Sequence, residues 1–149
     1  HANLSQLSNA EAMAEIAAGE EAVAKALGHP PSPFFRFPYL AQTGFLRTSL
    51  VQSNVVVLDV DIDSKDYFSD TPAKVMARTL TRLDARGSGI ILFHDIHART
   101  VAMLPDFLAE LDSRGYSVVR LTAKPRGIFG RDVITAENPQ PPSSFLRLN

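Results

Sequence analysis

Val55-Val56-Val57-Leu58-Asp59 and Ile90-Ile91-Leu92-Phe93-His94 decide the fold, because each is an unbroken apolar run that ends on a polar side chain. A strand with one wet face alternates apolar and polar residues, whereas a continuous apolar run suits a parallel strand buried on both faces. Between the two runs, Thr71-Pro72 reads as the N-cap and first residue of a helix ending before Gly87, with Met76, Leu80 and Leu83 along one side. Strand, helix, strand in this order is a parallel crossover.

Upstream, Ser8-Asn9-Ala10-Glu11 fits a capping box, in which Ser8 and Glu11 each satisfy a free backbone N–H at a helix start. The Ala-rich segment that follows carries Met13, Ile16, Val23 and Leu27 roughly on one face, and Gly28 stops it. His29-Pro30-Pro31-Ser32-Pro33 is a link, followed by a short apolar run at Phe34 to Phe37 and a helix near Ala41 to Gln52. Downstream, a helix is expected around Val101 to Arg114, with Leu104, Leu108 and Leu111 inward and Gly115 as its stop. Pro105 marks either a kink or the true start of that helix. Tyr116 to Leu121 reads as the last clear strand, and Ala123 to Asn149, rich in Pro and Ser, as a tail. The expected division is therefore a domain over residues 1–122 and a tail over 123–149.

Strands and helices alternating in this way imply an α/β fold with a parallel sheet. The polar clusters, Arg36 to Tyr39, Asp59 to Asp66 and His94 to His97, all follow apolar strands. That is where β/α barrels hold their chemistry. A complete barrel takes roughly 200 residues or more, and about five strand–helix units are visible here. The expectation is part of a distorted (β/α) barrel with its N-terminal portion missing.

With 45% apolar residues and a net charge of −1 among 149 residues, the chain has the composition of a globular domain with one core. No basic stripe suggests nucleic acid as a partner, and no stretch approaches the roughly 20 apolar residues of a membrane span. The absence of cysteine excludes disulfides and thiolate metal sites.

Four patterns stand in order along the chain: His1-Ala2-Asn3-Leu4-Ser5, Phe35-Arg36-Phe37-Pro38-Tyr39, Asp61-Ile62-Asp63-Ser64-Lys65-Asp66-Tyr67, and Ile91-Leu92-Phe93-His94-Asp95. Each alone is a weak signal. Together, at β/α spacing, the series resembles the polysaccharide deacetylase family (carbohydrate esterase family four, the NodB-homology domain) up to about Leu121. Ala2 stands where the family often has Pro, and Tyr67 where it often has Trp. The family's Thr-Phe-Asp-Asp motif and the histidine four residues before His1 are not in this sequence.

The resemblance implies a metal-dependent hydrolase that removes acetyl groups from N-acetylated polysaccharide, with peptidoglycan or chitin-like oligomers as substrates and O-acetyl removal from xylan as the runner-up. It implies a divalent metal, usually zinc, with His1 as a ligand, and a catalytic Asp that this chain lacks. His94 would be the acid that protonates the leaving amine, and Asp66 the carboxylate that orients it and keeps it protonated. Arg36 would pair with the missing Asp, the backbone N–H of Tyr39 would hold the oxyanion, and Tyr67 and Leu92 would wall the acetyl pocket. Pro38 and Asp63, within the same motifs, are placed with the substrate-binding residues. The family also implies export to the periplasm or beyond. The missing N-terminal part would be this chain's partner, and the chain alone would be inactive.

Other readings remain. His1 could be an ordinary terminal residue, His94 a structural histidine, and Arg36 half of a surface ion pair. His97 reads as a loop residue near the cleft, His29 as structural or solvated, and Asp106, Glu110 and Asp112 as a solvated helix face. A calcium loop from Asp59 lacks the turn glycine, having Ser64 there, and follows a strand, not a helix. A magnesium phosphohydrolase using Asp59 or Asp61 would leave Arg36 and His94 unassigned, and a non-catalytic carbohydrate-binding relative is also open.

Overall fold

The computed structural model describes residues 1–123 and 134–137. The described elements are α1 (Asn9–Leu27), β1 (Phe34–Phe35), α2 (Gly44–Gln52), β2 (Val56–Val57), β3 (Ile62–Asp63), α3 (Pro72–Arg86), β4 (Ile91–Leu92), α4 (Ala98–Ser113), β5 (Arg120–Ala123) and β6 (Ile134–Glu137). They form two compact units, one of His1–Asp59 with the described residues from Val119 onward, the other of Val60–Val118.

In the first unit α1 starts where the capping box requires. Ser8 Oγ accepts from the Glu11 N–H at 3.3 Å, and the Ser8 N–H donates to Glu11 Oε2 at 3.0 Å. Gly28 ends the helix in the left-handed region at φ 74°, where a side chain would be strained. Thr43 caps α2, so this helix begins three residues later than the sequence suggests. β1 and β2 pair in parallel, Phe34 opposite Val56 and Phe35 opposite Val57. Leu4, Ala12, Phe37, Leu46 and Leu50 form the buried core. Each such leucine withdrawn from water contributes about 1.5–3 kcal/mol.

Two expectations fail in this unit. Val55 to Leu58 are half-buried, not covered on both faces. Val55, with Phe34 and Phe35, lines an apolar groove of about 950 Å³ together with Met13, Ile16 and Val23. Val23 and Leu27 are 48% and 50% exposed, so only the first half of α1 turns its apolar side to the core.

In the second unit β3 and β4 pair in parallel, Ile62 opposite Ile91 and Asp63 opposite Leu92. Thr71 caps α3, Pro72 opens it, and Gly87 closes it at φ 85°. Ile62, Val75, Leu80, Leu83, Met103, Phe107 and Leu111 form its core, with Met76 packed against it. On α4 the inward stripe is Thr100, Met103, Phe107 and Leu111. Leu104 and Leu108, expected inside, are 39% and 44% exposed. They lie one residue, hence roughly 100° of helix, away from Met103 and Phe107. Pro105 sits inside α4 and does not start it.

Strand β5, expected over Tyr116 to Leu121, begins at Arg120 and pairs antiparallel with β6 from Arg120–Glu137 to Ala123–Ile134. Strand β6 lies in what the sequence presents as a tail; residues 124–133 and 138–149 of that stretch fall outside the described residues. The fold is α/β with parallel strand pairs, plus this one antiparallel pair.

Candidate active site

Strand β3 ends at Asp63, and the chain turns at once. The Asp63 carboxylate accepts from the Lys65 N–H at 3.0 Å, and Lys65 takes φ 55°. Ser64 and Asp66 point inward and are fully buried. Three arginines from the following helices hold this loop by its carbonyl oxygens. Arg78 donates to Ser64 O at 2.9 Å and Lys65 O at 3.2 Å, and its guanidinium also pairs with Asp70 at 2.7 Å. Arg82 donates to Asp63 O at 2.6 Å, and Arg99 reaches Asp66 O at 3.3 Å and the carbonyl of Phe68. Hydrogen bonds from a charged donor contribute about 1.5–3 kcal/mol each. They fix a backbone that has no strand or helix to fix it.

Asp66 and His94 meet at the centre of this unit. Asp66 Oδ1 lies 2.7 Å from His94 Nδ1, and Oδ2 accepts from the His94 N–H at 2.6 Å and the Thr100 hydroxyl at 2.7 Å. Burial alone would raise the Asp66 pKa. The Thr100 hydroxyl and the two His94 donors outweigh it and hold the carboxyl below its usual range. An ionised carboxylate can only accept, so Nδ1 must carry the proton it shares with Asp66. Nε2 is the nitrogen that Asp66 leaves free, and the His94 side chain is 26% exposed. Carboxylate and imidazole thus form an oriented pair, buried at the Asp66 end and open at Nε2.

Around it stand aromatic rings. Tyr67 meets His94 edge-on with centroids 5.7 Å apart, and its hydroxyl donates to Asp63 Oδ2 at 2.8 Å. That bond pushes the Tyr67 phenol pKa up. His97, at the N-cap of α4, lies 5.9 Å from His94 between ring centroids. Leu92 is buried beside Asp63 in the strand register.

The first unit holds the other candidates. Asn3 caps a short turn over Leu4–Gln6 by accepting from the Ser5 N–H at 3.2 Å and the Ser5 hydroxyl at 2.7 Å. Leu4 is driven into the core, which fixes the chain beside His1. The His1 ring meets Tyr39 edge-on at 5.2 Å. Phe37 is buried, Pro38 opens a tight turn, and Tyr39 follows at φ 57° with its side chain exposed. A non-glycine residue in that region costs about 1–3 kcal/mol and is typical of functional turns. Among the described residues, the Tyr39 N–H has no acceptor and half-buried Arg36 has no carboxylate partner.

The comparisons point to the family that the four motifs resemble. A probable peptidoglycan-N-acetylglucosamine deacetylase of Arthroderma benhamiae is 31% identical over 122 residues, which are 80% of this chain and 28% of that protein. A chitin deacetylase of Colletotrichum lindemuthianum is 30% identical over 126 residues, 80% of this chain and 50% of that protein. Among solved structures, a peptidoglycan deacetylase of Bdellovibrio bacteriovorus is 38% identical with a TM-score of 0.72, over 76% of this chain and 33% of that one. The chain belongs to the polysaccharide deacetylase family. A family 4 carbohydrate esterase of Streptomyces lividans, solved with acetate, matches at TM-score 0.68 and 28% identity, over 80% of this chain and 62% of that one. No protein-family model matches. The chain spans less than two thirds of the length of these deacetylases, and its α/β elements are a portion of their fold.

The family's metal does not find a site in these residues alone. Among the described residues no three His, Cys, Asp or Glu side chains converge to hold an ion. The carboxylates of the Asp59 to Asp70 run are engaged one by one. Asp59 pairs with Arg47 at 2.8 Å, and Asp61 pairs with Arg86 and accepts from the Ile90 N–H at 2.8 Å. Neither is left free as a phosphohydrolase nucleophile or a calcium ligand.

Within the second unit, Asp63, Asp66, Tyr67, Leu92 and His94 come together; within the first, the His1 and Tyr39 rings meet. Sequence reasoning missed Thr100, Arg78, Arg82 and Arg99. The available signal was weak, being only a hydroxyl and a cation in the first turn after the His94 loop, and two arginines four apart on α3. His29, bonded at 2.8 Å to Pro30 O on the surface, belongs to the link it sits in.

Proposed function

We propose that this chain forms part of a hydrolase that removes acetyl groups from N-acetylated polysaccharide, of the peptidoglycan or chitin type. The observation that carries this reading is the buried Asp66–His94 pair in a chain of this family. His94 is the acid, acting with both ring nitrogens protonated: as the C–N bond of the tetrahedral adduct breaks, Nε2 gives its proton to the departing sugar nitrogen, Nδ1 keeps the one it shares with Asp66, and acetate remains. A sugar amine leaves poorly unless protonated, so a positioned acid is worth about 10²–10⁴ in rate. Asp66 keeps Nδ1 occupied, which aims Nε2 at the substrate. Tyr67 and Leu92 wall the acetyl methyl, with Asp63 fixing the Tyr67 ring through its hydroxyl.

In the first unit, the free N–H of Tyr39 is an oxyanion donor, a fixed dipole where charge develops. Tyr39 sits at positive φ, and Pro38 sets the turn. Arg36 serves a carboxylate outside the described residues. His1 is assigned to a divalent metal, zinc by the resemblance, whose remaining ligands these residues do not supply. Such polymers lie outside the plasma membrane, which supports export to the periplasm or the medium. No helix of the described residues is long and apolar enough to cross a membrane.

Two variants test this in the protein as the cell makes it, with acetate release from N-acetylglucosamine oligomers and bound zinc as readouts. His94→Ala should keep its zinc and lose about 10²–10⁴ in kcat, with KM changing much less. His1→Ala should lose zinc and activity together. Zinc loss in the His94 variant would remove it from the acid role. The 149-residue chain by itself should hold no stoichiometric zinc and release little or no acetate.

A further inference from the structure

We infer that Thr100 is a positioning residue for His94: its hydroxyl locks the Asp66 carboxylate in the one rotation that accepts the His94 Nδ1 proton. The functional meaning rests on His94 acting as the acid, but the contact itself can be tested without turnover.

The case begins with where helical threonines usually send their hydroxyls. On α3, Thr79 donates back to Val75 O at 2.8 Å and Thr81 to Ala77 O at 2.9 Å, each within its own helix. Thr100, in the first turn of α4, instead donates across the unit to Asp66 Oδ2 at 2.7 Å. Both partners are buried, Thr100 to 3% exposure and Asp66 to 0%. A hydroxyl placed there without a partner would cost about 1–3 kcal/mol, and so would the carboxylate oxygen it serves.

The geometry gives this bond a purpose beyond satisfying two groups. A carboxylate oxygen has two lone-pair sites. Asp66 Oδ2 fills both, one with the His94 N–H and one with the Thr100 hydroxyl. With Oδ2 held from two directions, the carboxylate plane cannot turn. Oδ1 is then fixed at 2.7 Å from Nδ1. The backbone N–H alone would act as a hinge about which Oδ1 could swing away. The charged groups facing the pair are few: Arg99 engages the Asp66 carbonyl, not its carboxylate, and His97 and Tyr67 flank the imidazole by their rings. None of these substitutes for the hydroxyl.

Nitrogen-15 NMR of the His94 imidazole in the 149-residue chain reads this directly, recorded on the alkaline plateau where the shifts no longer change. The wild type should show the Nδ1–H tautomer and a slowly exchanging Nδ1 proton. Thr100→Val keeps the shape and removes the donor, so the tautomer should shift toward Nε2–H and Nδ1 proton exchange should speed up by about tenfold, the worth of one modest hydrogen bond. Thr100→Ser keeps the hydroxyl and should behave as the wild type. Unchanged tautomer and exchange in folded Thr100→Val would overturn the inference. So would equal changes in both variants, which would assign the effect to the lost methyl. If Thr100→Val does not fold, the wild type alone decides: a protected Thr100 hydroxyl proton close to the His94 amide supports the lock, and a hydroxyl exchanging as fast as those of surface threonines contradicts it. A wild-type tautomer of Nε2–H would instead sink the reading of His94 on which the inference rests.

Discussion

The surroundings of His94 and of His1 show two ways a chain can present a histidine. Around His94 the buried carboxylate is fully partnered within the second unit: Asp66 accepts three hydrogen bonds, and three arginines hold the loop that carries it. Around His1 the described partners are an aromatic edge and a capped turn, while nearby motif groups, the Arg36 guanidinium and the Tyr39 N–H, have no acceptor among the described residues. The first arrangement is complete as a structure and stabilises its unit. The second holds its groups ready for something else. Stability and function should therefore separate between the two regions, and substitutions can show whether they do.

The largest stability effect is expected at Asp66. Asp66→Ala leaves three donors unserved, the buried Thr100 hydroxyl and two from half-buried His94, and should lower the unfolding free energy of the second unit by about 3 kcal/mol. Urea denaturation measures it. Gly89→Ala comes next. Gly89 sits at φ 149°, and a Cβ there would lie 2.8 Å from the Asp61 Cβ. The strain should cost about 1–3 kcal/mol by the same assay. Arg36→Ala should change stability by no more than about 0.5 kcal/mol, because no described ion pair is lost. A large loss there would break the comparison, since it would mean that Arg36 already has a structural task.

The pH dependence sharpens the contrast. The folded Asp66 pKa lies below its unfolded value of about 3.9, so its contribution is fully present above that value. It is lost as pH falls through the folded pKa. The stability gap between wild type and Asp66→Asn should therefore narrow as pH falls below about 4. A gap that stays constant into strong acid would mean that Asp66 is not held as the anion.

How much of this could be read from the sequence follows the same division. His94 and Asp66 were legible because strand ends and motif spacing are local properties. The capping residues Ser8, Thr71 and Gly87 were legible for the same reason. Thr100 and Arg78 were not, since their roles depend on how α3 and α4 meet the loop from Asp63 to Asp70. The inward face of α4 was misread because Leu104 and Leu108 make as good an apolar stripe as Met103 and Phe107. Only packing against α3 chooses between them. In the first unit, the half-buried Val55 to Leu58 show that an apolar run reveals a strand but not what covers it.

The most direct test of the proposed acid role compares two substrates in one variant of the protein as the cell makes it. An acetamide needs its nitrogen protonated to leave, whereas an activated acetate ester does not. His94→Ala should lose about 10²–10⁴ in kcat on N-acetylglucosamine oligomers and far less on the activated ester, at unchanged zinc content. Equal losses on amide and ester would contradict the account and leave His94 a ligand or a structural residue.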